Sequence, residues 1–269
     1  MSYINESIIY NIYPLGFCGA PRDNDHQLNY RLEKIYDCID HFKRLGINAL
    51  VFNPLFESSH HGYDTIDYRM VDKRLGDNES FKKICDTLHA NGIRVILDGV
   101  FNHVGREFFA FNDVQQKKWD SPYCGWFQNL NFDGRSCYGD PFWYEGWAGH
   151  YDLVKLNLRN DEVVNYLLGS VEMWIDEFGI DGLRLDALAI LFFLCYTIKK
   201  NREGGEEMTP NIKTPRRVSE AVGFSLLLAM AMLFGFSVLT GGAEERTPLF
   251  LLLEIALKLL VFLVPSAFV

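Results

Sequence analysis

Short apolar runs alternate, over the first two thirds of the chain, with longer stretches whose apolar residues recur at helical spacing. Ile8-Ile-Tyr-Asn-Ile-Tyr-Pro-Leu reads as a strand, and Ala49-Leu-Val-Phe within residues 48–56 reads as a second. Arg94-Val-Ile-Leu-Asp-Gly-Val-Phe is a third, and Gly182-Leu-Arg-Leu-Asp-Ala-Leu a fourth. Between them the spacing predicts helices over 28–45, 78–90 and 161–178. Gly46 ends the first. Asp77 is placed to cap the second, and Asn91-Gly92 to stop it. Gly179 ends the third. Nearly continuous apolar strands separated by amphipathic helices imply parallel strands covered by helices. Four such strands with three helices amount to about half of an eightfold (β/α) barrel. A doubly wound sheet fits the alternation as well.

One connection is too long for a barrel loop. Residues 104–158 separate the third strand from its helix and are dense in aromatic side chains, Trp119, Trp126, Trp143 and Trp147 among them. Insertions of this length are functional or form a small subdomain.

The pattern changes near residue 188. The chain has seven His and five Trp, and none of these, nor any Asp, follows Leu188. Instead, residues 221–240 carry no charge, and residues 247–269 carry only Glu254 and Lys258. Each stretch is long enough to cross a bilayer. Lys199, Lys200, Arg202, Lys213, Arg216 and Arg217 precede the first, which places that flank in the cytoplasm by the positive-inside rule. The expected organisation is a barrel unit over 1–188 with the insertion at 104–158, a polar linker over 189–219, and a transmembrane helical hairpin over 220–269. Two other accounts of the last third stay open: a buried hairpin of a soluble fold, and unrelated sequence joined by a frameshift or gene fusion.

Net charge is −9, with no basic cluster in the first half. Nucleic acid, which needs a positive face, is therefore not an expected partner. The six cysteines show no C-x-x-C pair and no zinc-ligand spacing with His, so reduced thiols in a cytosolic protein are expected. The polar first residues and the short apolar run after them do not make an export signal, which points to the cytoplasm for the barrel part.

Barrel enzymes carry their chemistry where strands end. Three strand ends here are polar: the loop containing His61-Gly-Tyr63-Asp64, the run Asp98-Gly-Val-Phe-Asn102-His103, and Gly182-Leu-Arg184-Leu-Asp186. Arg184 and Asp186 are two apart on a strand and share a face. A guanidinium beside a carboxylate keeps it charged, as a carboxylate nucleophile requires. A structural ion pair would look the same in sequence.

These three motifs, in this order, resemble the α-amylase superfamily of glycoside hydrolases over about residues 6–188. The insertion resembles that family's domain B, and Leu153-Val-Lys-Leu-Asn resembles the segment leaving it. The resemblance implies an incomplete (β/α)8 TIM barrel of about four β/α units. It implies an α-glucan or maltooligosaccharide substrate and a retaining mechanism with Asp186 as nucleophile and Arg184 orienting it. His103 would bond the sugar, Tyr63 would stack beneath it, and His61 and Asp64 would line the same rim. Asp98 and Asn102 would be structural, holding Arg184 or the domain B junction. Some aromatic rings of the insertion would wall the sugar cleft. No cofactor is implied except calcium, to which Asn102 contributes in some relatives. The family's general-acid Glu and its later His-Asp motif have no good match here, Glu254 being a faint one, so poor hydrolysis by this chain alone is expected. A non-catalytic, membrane-attached sugar-binding or transporter accessory protein is the alternative.

Overall fold

A computed structural model of the chain describes residues 6–186. Strand β1 (Ile9–Ile12) leads into a helical turn, α1 (Pro14–Phe17), followed by helix α2 (Lys34–Arg44) and strand β2 (Ala49–Phe52). A hairpin of β3 (Phe56–Ser58) and β4 (Thr65–Val71) precedes α3 (Asn78–Ala90) and β5 (Arg94–Gly99). The long insertion contributes β6 (His103–Gly105), α4 (Phe109–Lys117), β7 (Gly146–Trp147) and β8 (His150–Lys155). Helix α5 (Asp161–Met173) and strand β9 (Gly182–Leu185) complete the described chain.

The central sheet runs β1-β2-β5-β9, and each neighbouring pair is parallel. Strands therefore neighbour one another in chain order with no reversal. Right-handed crossovers then put the covering helices on one face, as in a barrel. A doubly wound sheet would reverse its order partway and cover both faces. Strand order thus decides what periodicity left open.

The pleat divides the sheet's side chains in two. Leu50, Phe52, Val95, Leu97 and Leu183 join the main core, together with Ile35 and Phe42 of α2 and Phe81, Ile84 and Leu88 of α3. Each such fully buried side chain stabilises the fold by roughly 1.5–3 kcal/mol. On the opposite face Ala49, Val51 and Ile96 form a separate small cluster, with Ile9 against it. Continuing along that second face, Asp98 lies beside Arg184 in the β5–β9 register. The polar site therefore stands where this inner apolar layer ends, at the C-terminal ends of the strands.

Several boundaries differ from the sequence expectation. β1 stops at Ile12 rather than running to Leu15, because Pro14 opens the helical turn α1 at a position where its missing N–H costs nothing. The helix expected over 28–45 begins with a 3₁₀ turn at Arg31–Glu33 and becomes α-helical at Lys34. The helix expected over 161–178 is regular to Met173 and continues as a π turn, Trp174–Phe178, ending at the left-handed Gly179 (φ 69°). Helix α3 has the expected bounds and cap: Asp77 accepts from the Ser80 N–H at 2.7 Å, and the Ser80 hydroxyl answers the Asp77 N–H at 3.0 Å. The linker over 189–219 and the hairpin over 220–269 lie outside the described residues. Among the described residues no helix is long and apolar enough to cross a membrane. The five cysteines among them, Cys18, Cys38, Cys85, Cys124 and Cys137, are free.

Candidate active site

Asp186, Tyr63, His61 and His103 come together around a cavity of about 330 Å³, lined also by Trp147, His150, Asp152 and Leu153. That volume is at the small end of the range for ligand sites, about 300–1,000 Å³.

Its floor is built from β5 and β9. Arg184 Nη1 donates to both oxygens of Asp98, at 2.8 and 2.7 Å, and to Asp186 Oδ1 at 2.9 Å. The Asp98 side chain is fully buried, and Asp186 lines the cavity. Burial pushes the Asp98 carboxyl up, to about 7, against the opposing pull of Arg184. Burial also works against the Arg184 charge, but the two carboxylates outweigh it and hold the guanidinium firmly protonated. One arginine thus fixes the cavity-lining carboxylate on one side and is anchored by a buried one on the other.

The rim is the loop between β3 and β4. Asp64 is buried, and its carboxylate accepts from the backbone N–H groups of His60 (2.7 Å) and His61 (3.0 Å). It stands behind the loop rather than on the cavity wall, so its visible work is to shape the loop that carries His61 and Tyr63. Beneath the loop lies Arg74, wholly buried. It donates to the carbonyls of Pro21, Arg22 and His60, to Ser58 Oγ, and to both oxygens of Asp72. A buried charge is tolerable only when paired and hydrogen-bonded in this way. Tyr63 receives a hydrogen bond from Asn53 Nδ2 at 3.3 Å, and burial raises its phenol to about 12, so it stays neutral.

His103 closes the third side. Burial lowers its pKa, with the Asp186 carboxylate opposing, so the ring is held toward the neutral form. Asn102 Nδ2 lies 3.3 Å from its Nδ1. Its Nε2 is buried and has no hydrogen-bond partner among the described residues. In either tautomer that nitrogen suits a ligand hydroxyl, which both donates and accepts. The Tyr68 hydroxyl donates to the Val100 carbonyl, with the His103 carbonyl 3.2 Å away, and so ties β4 to the β5–β6 turn. Gly105 is required here, since a Cβ on it would lie 2.4 Å from the Asp64 carbonyl oxygen.

Among the described residues no group of three or more His, Cys, Asp or Glu could hold an ion, and the Asn102 amide is turned toward His103. Asp98 and Asn102 are both buried. The sequence did not single out Asn53, Arg74, Trp147, His150 or Asp152. For Trp147 there was a partial signal, the aromatic density of the insertion.

Comparison with known proteins agrees with this geometry. Residues 11–219 match the family model "Alpha amylase, catalytic domain", a span that runs past Leu188. A cyclomaltodextrinase of Bacillus sp is 37% identical over 201 residues, covering 69% of this chain and 36% of the relative. An intracellular maltogenic amylase of Bacillus subtilis is 39% identical over 200 residues, covering 68% of this chain and 33% of the relative. Among solved structures, the ligand-free cyclic α-maltosyl-(1→6)-maltose hydrolase of Arthrobacter globiformis superposes with a TM-score of 0.62 at 31% identity. That match covers 76% of this chain and 48% of that one. The chain spans about a third of the length of the curated relatives it matches.

Proposed function

Because the chain belongs to the α-amylase family of glycoside hydrolases, we propose that it holds an α-glucan or maltooligosaccharide with one glucose ring over Asp186, on Tyr63 and against His103. The observation that carries this reading is the Asp98–Arg184–Asp186 chain, which presents one braced carboxylate to a cavity with an unpartnered histidine nitrogen. In a retaining reaction the Asp186 carboxylate attacks the anomeric carbon and the glycosidic C–O bond breaks. The departing oxygen takes a proton from a general acid, and water later releases the glycosyl ester. Arg184 holds Asp186 in place for the first step through the Nη1 hydrogen bond. Tyr63 and His103 fix the ring so that the anomeric carbon meets the carboxylate.

No proton donor is assigned among the described residues. Two carboxyl groups about 5–5.5 Å apart are needed for retention. Asp98 cannot serve, being buried behind Arg184. We therefore assign this chain the nucleophile side of the site, with hydrolysis weak or absent in the chain by itself. Relatives named for maltodextrins and for an intracellular location support an α-glucan substrate and a cytoplasmic place for this domain.

Release of reducing sugar from maltooligosaccharides by the purified chain, beside Asp186→Ala, tests the assignment. Turnover that vanishes in the variant identifies Asp186 as the nucleophile and requires an acid beyond it, with Glu254 the first to replace. Equal turnover in both proteins would overturn the role of Asp186. Absent turnover with retained maltotriose binding would leave a binding half-site.

A further inference from the structure

The insertion ends in a tight hairpin over the cavity. Trp147 and His150 pair across β7 and β8, with only Ala148 and Gly149 between them. Both turn residues have positive φ, 49° and 85°, as a two-residue primed turn requires. Gly146 is demanded by the same geometry, since a Cβ there would meet the His150 carbonyl oxygen at 2.4 Å. The hairpin thus fixes the place of Trp147. Its ring centroid lies 5.5 Å from that of His103, inclined by 34°, and 6.2 Å from that of His150, inclined by 24°. Trp147 is 37% exposed, and both rings line the cavity.

A large indole left partly exposed beside a buried polar nitrogen with no partner among the described residues leaves room for a ligand between them and solvent. A pyranose presents both complements: a hydroxyl for the nitrogen and an apolar C–H face for the ring. We propose that Trp147 is a substrate-positioning and specificity-determining residue, its indole forming the wall on which an α-linked glucose ring packs while a hydroxyl of that ring meets His103 Nε2. His150 extends the wall away from Asp186. The inference rests on the α-glucan reading above, and it adds to that reading the surface that selects the sugar.

The test is calorimetric titration of the full chain with maltotriose, comparing wild type with Trp147→Leu, Trp147→Phe and His103→Ala. Leucine keeps apolar bulk but offers no ring face, and it should weaken binding about tenfold. Phenylalanine should fall between leucine and tryptophan, and it keeps the proposal testable if the leucine chain folds poorly. His103→Ala should weaken binding independently. Wild-type affinity in Trp147→Leu, or a phenylalanine no better than leucine, would overturn the role of Trp147. If His103→Ala lost affinity in the same series, the α-glucan reading would still stand. No binding by the wild type would overturn both.

Discussion

Asp98 lies directly across the β5–β9 register from Arg184, and both its oxygens accept from a single guanidinium nitrogen. The carboxylate is fully buried, so Arg184 is its means of carrying charge. The same nitrogen reaches Asp186, two residues along the strand. Asp98 therefore positions Asp186 through Arg184, while the two carboxylates also repel each other directly.

Removing one partner of a buried pair leaves the other uncompensated, which typically costs about 3–5 kcal/mol. Arg184 retains Asp186, so Asp98→Ala should fall at the lower end, about 3 kcal/mol in urea unfolding at pH 8, where Asp98 is ionised. An unchanged midpoint would show that the Asp98–Arg184 contact contributes nothing net.

The same carboxyl gives a pH dependence. Its pKa is raised in the folded state from 3.8 to about 7. Between these values the folded chain holds a proton that the unfolded chain has released. The contribution is complete below 3.8 and is lost as pH rises through 7. Unfolding midpoints measured from pH 4 to 8 should show this decline in wild type. Asp98→Asn, which cannot titrate, should flatten it.

Asp64→Ala should loosen the loop that carries His61 and Tyr63 without touching the cavity wall. Two charge-assisted hydrogen bonds disappear with it, each worth about 1.5–3 kcal/mol. Faster amide exchange at His60 and His61 is expected, with weaker maltotriose binding as its result. Protection unchanged at both amides would mean that the loop is held by its other contacts, those of Arg74 and Tyr13 to its carbonyls among them.

Asp77→Ala removes the cap of α3 together with a bond donated by the Tyr30 hydroxyl. The expected loss is about 1 kcal/mol, the usual cost of an N-cap. Asp77 is held below its ordinary pKa, first by the Ser80 N–H. Its contribution is therefore present above pH 3.8 and fades as pH falls further. A wild-type-like melt at pH 7 would contradict this.

Ala148 occupies a left-handed conformation that costs an alanine roughly 1 kcal/mol. Ala148→Asn, the residue preferred in such turns, should raise the thermal midpoint and leave maltotriose affinity unchanged. A lower midpoint would show that the turn is held differently.

Much of this arrangement was legible in the sequence because its signals are local. Ala49–Phe52 is apolar on both faces, as a covered parallel strand must be, and Asp77 announces its helix three residues ahead of Ser80. Arg184 and Asp186 declare a shared face by their spacing alone. The β3–β4 hairpin was not legible, because its charged residues are satisfied from far away. Glu57 is buried against Asn24, His26 and the Lys73 N–H, none of them near it in sequence. The burial of Arg74 has the same cause, since carbonyls from Pro21, Arg22 and His60 converge on it only after folding. Asp64 was read as a rim residue because its motif position says nothing of which way a carboxylate turns. Trp147 was hidden because its place depends on strand register in an irregular insertion.

β6 and β8 pair antiparallel, His103 against Lys155 and Gly105 against Leu153. The chain thus leaves and re-enters the barrel side at nearly one point. Everything between these strands is a loop already closed at its base, and lengthening such a loop costs only slowly growing entropy. The root of the insertion is tied to the barrel side, since Phe108 and Trp126 pack on Tyr68 and Tyr166 and Trp126 Nε1 donates to Glu162. The β7–β8 turn is joined to it through its strands, so change at Trp147 and His150 can reshape the cavity wall while Asp98, Arg184 and Asp186 keep their places in the sheet.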